Sequence, residues 1–596
     1  MPNNNSSPGA MMRMAFYILA VALALVHVFV TFRGISSAEG MTQAQLARQM
    51  ARTLSYQTKV IQPYALAQME KAGKTPSPLA MPETTQPPAQ PLLWAAAFRL
   101  LQPLGNYAPH EGGSPIYFFD RLIAAFGVLG WLLTIFLTHG AARRLFDEQV
   151  AAIAAIALLV CQPGWDLAVS GSTRTLLLPL FALAFRLFAS ASVRAAEGRG
   201  TGSRLALLGL VCGALVLTHW LAWWLVLGII LGVAFFLPGG RMGAVIVAAF
   251  PIMALSSLAW WNMQLCGDPL GGIKALVQAQ MAATSQDLVL RDFTPALPTV
   301  QVDDLLRRLG LNWQDQLAGL YAQLGFVVPA LLFFTALMHR FRRAEAGGTR
   351  WMLAVVFGLV ALGCGLTGLM DGEKDDNALY IVLVPAMSIF GAAMIVVLWT
   401  RSQSATGFWP RWGGAVIALA ITGLPMAVNL PVFLKFGLSM GSKIPPHWPP
   451  YVPDRVAVLK TMIEDGEYLF SDSPGYVAWY ADVPCVALPV QRADFETMRA
   501  TATERDAKLA GIVMTPVSAA CDRLTDIFAG PWGEWRDLII RGPMHAFDKD
   551  FSPEPAFPYR IVNPLIAVTV GSKESLSLPM VFYSEKERRP KVKETP

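Results

Sequence analysis

Long apolar runs separated by short polar stretches fill most of the chain up to residue 444. A helix needs about 20 apolar residues to cross the ~30 Å hydrocarbon core of a bilayer, because its backbone must satisfy its own hydrogen bonds there. The runs that meet or approach this length are residues 12–32, 119–138, 150–162, 175–189, 204–217, 219–237, 242–264, 317–338, 351–370, 378–400 and 413–432. This pattern predicts a multi-pass α-helical membrane protein with about 11 spans.

Positively charged residues are distributed unevenly over the loops between these runs. The loops HGAARRLFDE, SVRAAEGRGTGSR, HRFRRAEAGGTR and TRSQSATGFWPRW alternate with QPGWDLAVSGSTR and the net acidic DGEKDDN. Because Arg-rich loops remain in the cytoplasm, we expect a cytoplasmic N-terminus, with the first run retained as a signal-anchor. The segment 34–110, the long loop 265–316 and the C-terminal region are then expected on the outer face.

The pattern changes from residue 445 onward. The proline-rich linker KIPPHWPPYVPDR is followed by short apolar runs typical of strands, EYLFSDSP, VPCVALPV and GIVMTP, with helical patterns between them. Alternation of strand and helix predicts an α/β domain over residues 445–585, outside the membrane domain formed by residues 1–444. The charged tail 586–596 is expected to be disordered.

Composition agrees with this organisation. Hydrophobic residues make up 54% of the 596 positions and charged residues 15%, against about 25% charged in soluble domains. The mean hydropathy is +0.44. The net charge of +6 is small for this length and does not indicate nucleic-acid binding, and the six cysteines are scattered without a CxxC spacing. The chain has no GxxxxGK[ST], HExxH or GxSxG motif, so the corresponding nucleotide and hydrolase chemistries have no support.

The stretch RGISSAEGMTQAQLARQMARTL follows the first apolar run. Ser36 and Glu39 form a capping-box pattern, with Ser36 as N-cap and Glu39 at the third helical position. Leu46, Met50 and Leu54 form one apolar stripe, which predicts a helix lying at the membrane surface. Glu39 has two interpretations. The residue pattern alone favours a carboxylate that satisfies free amides at the helix start, and the alternative is a base or metal ligand for transfer from a lipid-linked donor.

Five segments of the membrane part follow one another in an order and spacing that can be compared with known membrane proteins. They are PLLWAAAFRLL (91–101), RLIAA (121–125), ARRLF (142–146), WWNMQLCGDPL (260–270) and NALYIVLVPAMSIFGAA (377–393). In this order and spacing they resemble the ArnT and dolichyl-phosphate-mannose type of membrane glycosyltransferases, over roughly residues 12–400. The C-terminal segment FSDSPGYVAWYAD looks like the outer domain of bacterial members of that family.

The resemblance implies a C-type glycosyltransferase (GT-C) fold and transfer, with inversion, of a sugar from a polyprenyl phosphate to an acceptor on the outer face. It also implies acidic residues at two places. At the first, this chain has Thr42, and the nearest carboxylate is Glu39. At the second, SGSTRTLLL places Arg174 or Thr175, with Asp166 upstream. A threonine hydroxyl does not ionise at neutral pH, so Glu39 and Asp166 are the candidate catalytic residues.

Five further residues are candidates for binding the substrates. Arg174 could clamp a lipid phosphate, because a guanidinium group matches phosphate geometry with two parallel hydrogen bonds; the alternative is a side chain that snorkels from a span end. His219, in LTHWLAWW, either faces a cavity or closes a helix junction. Arg48 and Lys374 are the other basic candidates, and Tyr380 lies in the last of the family-like segments.

The acidic loop DGEKDDN is a second place, besides Glu39, where the sequence suggests a metal ion. Its carboxylates could bind a divalent metal ion, but a solvated turn is the simpler interpretation, because oxygen-ligand sites need convergent geometry. The cofactor therefore stays unknown, with a divalent metal as the open alternative and no metal ligand assigned.

Residue pattern and resemblance together predict a glycosyltransferase of the bacterial inner membrane. It would move a hexosyl or pentosyl group from a polyprenyl-phosphate sugar to an envelope acceptor, which is a lipid, a glycan or a protein. The alternative is a family member that has lost its acids and acts as an envelope binding or assembly component. A transporter fits least, because the predicted spans are nearly free of ionisable groups.

Overall fold

The structure, a computed structural model, consists of a helical bundle with an α/β domain packed against one of its ends. It describes residues 8–35, 37–105, 116–282, 286–293, 297–367, 379–402, 408–439, 453–504, 507–515, 518, 524–545, 559–565 and 580–588. The first helix, α1 (Pro8–Leu25), continues as a π-helical segment, Val26–Thr31. It forms the first of the apolar helices that the sequence predicts.

A small layer of helices and short strands follows the first span. Its elements are α2 (Ala38–Thr53), β1 (Gln57–Thr58), β2 (Val60–Ile61), α3 (Pro63–Lys71), β3 (Met81–Pro82) and α4 (Ala89–Leu101). Strands β1 and β3 pair antiparallel, and α2 packs against α4. This layer falls within the predicted outer segment 34–110.

The next part of the chain forms seven helices of the bundle. They are α5 (Phe118–Leu145), α6 (Glu148–Leu159), α7 (Gln162–Ser170), α8 (Arg174–Ala196), α9 (Gly202–Val216), α10 (Ala222–Phe236) and α11 (Gly240–Cys266). Helices α5 and α7 approach so closely that a Cβ atom on Gly127 would lie 1.8 Å from the carbonyl oxygen of Ala168. Close approach of this kind fixes α7, and with it the loop that follows, against α5.

The second half of the bundle contains short helices before three long ones. Its elements are α12 (Gly272–Met281), α13 (Gln286–Leu290), α14 (Val302–Ala318), α15 (Leu320–Gln323), α16 (Val328–Leu331), α17 (Phe333–Leu337), α18 (Ala344–Thr367), α19 (Leu379–Ser402) and α20 (Phe408–Ser439). The apolar part of α19 is 83% buried, so this helix lies at the centre of the bundle.

The described residues contain seven helices that are long and apolar enough to cross a membrane, or eight if the bent pair α6 and α7 counts as one span. Three shorter apolar stretches, Gly202–Val216, Ala222–Phe236 and Val328–Leu337, occupy the positions of further predicted spans. Each of the predicted apolar runs therefore has a helical counterpart. The predicted multi-pass helical architecture is confirmed.

The C-terminal region forms an α/β domain. Its elements are α21 (Pro453–Met462), β4 (Glu467–Ser471), α22 (Pro474–Tyr480), β5 (Cys485–Ala487), α23 (Arg492–Glu504), β6 (Lys508–Met514), α24 (Leu524–Ala529), α25 (Arg536–Met544), β7 (Arg560–Leu565) and β8 (Met580–Ser584). The sheet has the order β2-β5-β4-β6-β8-β7. Strands β2, β5, β4 and β6 are parallel, and β8 and β7 run antiparallel to their neighbours.

One strand of this sheet comes from the first outer segment. Val60 and Ile61 of β2 pair in parallel register with Cys485 and Val486 of β5. The predicted division at residue 445 separates these partners along the chain, but the sheet joins them. The sheet of the α/β domain is therefore completed by β2, a strand that precedes the domain by about 400 residues in the sequence.

The expected disordered tail is packed at its beginning. Arg588 donates hydrogen bonds to both carboxylate oxygens of Glu467, at 2.6 and 2.7 Å, and to the backbone oxygen of Met462 at 3.0 Å. The fold therefore extends at least three residues past the predicted boundary at 585.

Candidate active site

Helix α2 begins one residue later than the sequence pattern predicts. Ser37 is its N-cap, and the Ser37 hydroxyl accepts a hydrogen bond from the Gly40 amide at 3.0 Å and donates one to the Ser170 carbonyl at 2.9 Å. Ser36 lies outside the described residues. The predicted capping box with Ser36 as N-cap is therefore wrong, and Glu39 occupies the second helical position.

The side chain of Glu39 points away from the amides of its own helix. Its Oε2 accepts a hydrogen bond from the Ser172 hydroxyl at 2.8 Å, and its Oε1 accepts one from the Thr173 hydroxyl at 2.6 Å. These partners lie 133 and 134 residues further along the chain. Because Ser37 already caps the helix, the carboxylate of Glu39 is held by tertiary contacts and does not act as a cap.

The loop between α7 and α8 positions both hydroxyls. Gly171 ends α7 with a φ of +77°, a left-handed conformation that glycine adopts without steric cost. The Gln90 side chain at the start of α4 donates to the Gly171 carbonyl at 3.1 Å. Ser172 and Thr173 are each only 1% exposed, so their hydroxyls have a fixed environment.

Arg174 joins this network through Ser172. Its Nε donates a hydrogen bond to the Ser172 hydroxyl at 3.1 Å, while that hydroxyl donates to Glu39. One hydroxyl therefore connects a guanidinium group to the carboxylate. Polarisation along such a chain strengthens each of its hydrogen bonds.

His219 lies at the junction between α9 and α10, near the same charges. Burial lowers the pKa of His219 to about 4, while Glu39 raises the pKa and Arg174 lowers it. The imidazole is therefore neutral near pH 7. Its Nδ1 accepts a hydrogen bond from the Leu221 amide at 3.1 Å, which places the single ring proton on Nε2 as a hydrogen-bond donor.

The other predicted site residues lie elsewhere. Asp166 is on the exposed side of α7 and accepts from Gln162 at 2.7 Å; within the residues that the structure describes, no hydrogen bond or ion pair joins it to Glu39. Tyr380 is buried in α19, where its hydroxyl donates to the side chain of Gln316. Lys374 lies outside the described residues.

Arg48 is buried between α2 and the α/β domain. It donates to the Ala478 carbonyl at 2.7 Å, pairs with Asp482 at 3.3 Å and lies over the ring of Trp479 at 4.5 Å. The structure thus brings together Glu39, Arg174 and His219 among the predicted site residues and keeps Arg48 apart from them.

Thr42 and Thr175, which stand where the resemblance implies acids, have other contacts. The Thr42 hydroxyl donates to the Ala38 carbonyl at 3.0 Å. It also lies close to Gly475, because a Cβ atom on that glycine would be 2.7 Å from the Thr42 hydroxyl oxygen. The Thr175 hydroxyl donates to the Ser172 carbonyl at 2.8 Å. Both threonines therefore act in local packing, and Glu39 provides the carboxylate of this region.

Sequence reasoning missed Ser172 and Thr173 as functional candidates. Both stand in the quoted SGSTRTLLL segment, immediately before Arg174, and that adjacency was the one available signal. In the described part of the chain, no group of three or more His, Cys, Asp and Glu side chains could hold a metal ion. The acidic loop of residues 371–376 lies outside that part.

The fold is similar to that of known membrane transferases. ArnT from Cupriavidus metallidurans bound to undecaprenyl phosphate aligns with a TM-score of 0.53 at 13% identity, over 96% of this chain and 98% of that chain. Its apo state aligns with a TM-score of 0.49 at 13% identity, over 85% and 94%. The oligosaccharyltransferase AglB from Archaeoglobus fulgidus, in complex with an inhibitory peptide and a dolichol-phosphate, aligns with a TM-score of 0.47 at 11% identity, over 88% and 72%.

The comparison with ArnT bound to undecaprenyl phosphate defines the class of fold. No protein-family model matches the sequence, and no curated protein matches it. The likeness to ArnT in complex with its lipid extends over nearly the whole of both chains. The chain therefore has a GT-C-like membrane fold, and the predicted fold class and resemblance are confirmed at the level of the fold.

Proposed function

We propose that the protein is a membrane glycosyltransferase that moves a hexosyl or pentosyl group from a polyprenyl-phosphate sugar to an envelope acceptor. The observation that carries this proposal is the Glu39 carboxylate, held by Ser172 and Thr173 beside Arg174 at one end of a GT-C-like bundle. In the described part of the chain, this half-buried carboxylate is held by neutral hydroxyls and forms no direct ion pair. Such a carboxylate is suited to accept a proton.

Glu39 acts as the general base in the proposed reaction. The acceptor hydroxyl gives its proton to the Glu39 carboxylate while its oxygen forms a bond with the anomeric carbon of the sugar. The bond between that carbon and the phosphate oxygen breaks on the opposite face, so the configuration inverts and the polyprenyl phosphate leaves with the electron pair. Base catalysis of this kind contributes about 10²–10⁴-fold to a rate.

Arg174 and His219 bind the departing phosphate in this proposal. Arg174 already shares Ser172 with Glu39, which holds a cation next to the base. A guanidinium group stabilises a phosphate through paired, charge-assisted hydrogen bonds. The Nε2 proton of the neutral His219 supplies a further donor, since Nδ1 is occupied by the Leu221 amide.

The site assignments follow from these positions. The proposal retains Glu39, Arg174 and His219 and adds Ser172 and Thr173 as residues that position the base. Asp166 and Tyr380 make no contact with this group in the described residues and take no step in the mechanism. The acceptor remains a lipid, a glycan or a protein of the envelope.

The proposed membrane is the bacterial inner membrane, with the N-terminus in the cytoplasm. Arg13 at the start of α1 pairs with Glu148 at 3.4 Å, and Arg143 pairs with the same carboxylate at 3.2 Å. Arg343 donates to the carbonyl of Leu145 at 3.3 Å. These contacts gather Arg-rich loops at one end of the bundle, and the positive-inside rule assigns that end to the cytoplasm.

Reporter fusions test this orientation. A fusion after Glu373 and a fusion at the C-terminus should both give the signal of an extracytoplasmic reporter, whereas a fusion in the loop at Arg342 should give the cytoplasmic signal. A cytoplasmic signal from the Glu373 or the C-terminal fusion contradicts the orientation.

A transfer assay tests the reaction. Purified protein in detergent receives labelled polyprenyl-phosphate sugars together with envelope lipids, glycans and proteins. We expect Glu39→Gln to lose about 10²–10⁴-fold in rate, because the amide cannot accept the proton. The matched control is Glu504→Gln, at an exposed position of α23, which should retain full activity.

The outcomes of that assay separate the two predicted functions. Transfer that survives unchanged in Glu39→Gln removes Glu39 from the mechanism. Absence of turnover with every donor, combined with retained binding of the lipid, favours an envelope binding component over an enzyme.

A further inference from the structure

Three arginines from neighbouring helices lie together at the Arg-rich end of the bundle. Arg144 is in the last turn of α5, Arg186 is in the second half of α8, and Arg204 is in the first turn of α9. Helix α8 packs against both α5 and α9, and Arg186 lies within the electric field of Arg144 and of Arg204. We call these three residues the Arg186 triad.

A glycine on α5 makes room for the guanidinium group of Arg186. A Cβ atom on Gly140 would lie 3.1 Å from both Cζ and Nη1 of Arg186, so the guanidinium group rests against the backbone of α5 at this position. Phe136, Gly140 and Arg144 are spaced by four residues and therefore share one face of α5. The Arg186 Cζ is 5.7 Å from the centre of the Phe136 ring, which places the guanidinium group on that same face.

The triad carries three positive charges, and among the described residues none of its guanidinium groups forms an ion pair or donates a hydrogen bond. The acidic side chains of the adjoining loops are used elsewhere. Asp147 caps α6. Glu148 pairs with Arg13 and Arg143, and Glu197 pairs with an arginine of its own loop. Because like charges held close together repel each other, the triad favours an anion that comes from outside the described part of the chain.

The triad lies where the apolar part of the bundle ends. Arg204 is the single charged residue of α9, and Arg186 is the first charged residue of α8 after Arg174. Beyond Arg186, α8 continues to Ala196, over roughly 15 Å at about 1.5 Å of rise per residue. This last part of α8 carries Arg194 and leads into a polar loop. The triad therefore lies near the boundary between the hydrocarbon layer and the lipid head groups.

An apolar stripe leads along α5 to the triad. Leu129, Leu133 and Phe136 are 62%, 48% and 57% exposed, and their spacing of four and three residues places them on one face of the helix. On the other side of α8, Leu207 follows Arg204 by three residues and is 42% exposed. Exposed apolar side chains on a membrane span face the acyl chains of lipids. The surface thus combines an apolar track with three cations at its end.

From these observations we infer that the Arg186 triad binds the phosphate head group of an anionic phospholipid, whose acyl chains lie along the exposed stripe of α5. Guanidinium groups match phosphate oxygens with paired, charge-assisted hydrogen bonds. Basic pockets between spans bind anionic head groups on the cytoplasmic side of membranes. By the proposed orientation this lipid belongs to the cytoplasmic leaflet. The inference does not depend on the transfer reaction, which is proposed for the opposite end of the bundle.

The position of the triad favours a lipid over a soluble anion. Every phospholipid that covers the stripe brings its head group to the level of the arginines, so the local concentration of lipid phosphate there is high. A soluble phosphate uses the arginines alone and has no contact with the stripe. Zwitterionic lipids cover the stripe equally well but carry no net charge to compensate the triad.

Native mass spectrometry of the full-length protein in neutral detergent tests the inference. Dioleoyl phosphatidylglycerol and dioleoyl phosphatidylcholine are titrated separately, and the dissociation constant of the first bound lipid is measured for each. We expect phosphatidylglycerol to bind roughly tenfold more tightly. Arg144→Gln and Arg186→Gln should each weaken its binding about fivefold, because one basic residue near the head groups contributes about that factor. Binding of phosphatidylcholine should not change. Arg144 is exposed, so at least this variant should fold.

Arg143→Gln is the matched control. Arg143 is adjacent to Arg144 in the last turn of α5, but its guanidinium group pairs with Glu148 at 3.2 Å. The variant removes the same charge from the same turn, so a general effect of net charge would appear in it as well. We expect its affinity for phosphatidylglycerol to equal that of the unchanged protein.

Three outcomes would overturn the inference. They are equal affinities for the two lipids, an equal loss of phosphatidylglycerol binding in Arg143→Gln and in the triad variants, and displacement of phosphatidylglycerol by inorganic phosphate at a comparable concentration. The last of these would assign the arginines to a soluble anion. Glu39→Gln should bind phosphatidylglycerol like the unchanged protein, so the result stands apart from that of the transfer assay.

Discussion

The position of the Glu39 carboxylate depends on two hydroxyl groups from a distant part of the chain. Ser172 and Thr173 each donate to one of its oxygens, at 2.8 and 2.6 Å. A charge-assisted hydrogen bond contributes about 1.5–3 kcal/mol. These two bonds set the direction of the carboxylate, and losing either would leave it with more rotational freedom.

Thr173→Val tests this positioning role. Valine keeps the branched shape but removes the donor to Oε1, so we expect kcat of the proposed transfer to fall by about one order of magnitude, which corresponds to about 1.4 kcal/mol. Thr501→Val, which removes a hydroxyl that donates to the Thr497 carbonyl within α23, should leave the rate unchanged. A steady-state assay with both variants checks this, and equal rates for the two would show that Thr173 does not position the base.

His219 should make the stability of the protein depend on pH. Its pKa is lowered from the ordinary value of 6.5 to about 4, so the folded state binds fewer protons than the unfolded state between these values. The contribution of His219 to the free energy of unfolding is therefore fully present above pH 6.5 and is lost as the pH falls toward 4. His219→Gln should flatten this part of the profile, as measured by thermal unfolding in detergent from pH 4 to 8. If the unchanged protein and His219→Gln show the same dependence of stability on pH, other titratable groups cause that dependence.

At the scale of elements, length and hydropathy were sufficient to predict the bundle. Each predicted apolar run has a helical counterpart, including the short helices α9 and α10, because lipid-facing and buried positions are apolar along the whole length of a span. The start of α2 was predicted one residue early, because serine is a favourable N-cap at either position, and it is the Ser37 hydroxyl that accepts from the Gly40 amide.

The site was less predictable than the bundle. Glu39 and Arg174 could be selected from sequence because they lie at or next to the two places where the resemblance implies acids, and His219 because a titratable residue between two apolar halves is uncommon. Ser172 and Thr173 could not, since hydroxyls are frequent near span ends and their role appears only when α2 approaches the loop after α7. Arg48 was selected for its charge, but its contacts with Trp479 and Asp482 depend on a domain more than 400 residues away.

At the scale of the whole molecule, the layer that follows the first span and the α/β domain share a sheet. A parallel strand as short as β2 leaves no local sequence signal, because its partner β5 lies far along the chain. The ion pairs of Asp482 with Arg48 and Lys59 join the same layer to the α/β domain. The bonds from Trp479 and Tyr480 to Asp120 join the α/β domain to α5. The proline-rich linker therefore separates two parts of the sequence, but residues on both sides of it fold into one sheet.

This arrangement predicts that the α/β domain is incomplete on its own. A fragment of residues 453–588 lacks β2 and exposes the edge of β5, and an exposed edge strand promotes association with other chains. We expect the fragment to form oligomers or aggregates in size-exclusion chromatography. The same fragment with residues 55–62 joined by a flexible linker should recover a larger monomer fraction. A monomeric fragment with cooperative unfolding in the absence of β2 would contradict this expectation.

The shared sheet also sets an order of events during synthesis. Lys59, next to β2, is separated from its partner Asp482 by 423 residues. At 5–20 residues per second, a ribosome needs roughly 20 to 80 s to cover that distance. Throughout this interval the segment that contains β2 must wait with an unpaired edge, so a nascent chain that stalls before residue 485 would present that edge to chaperones and proteases.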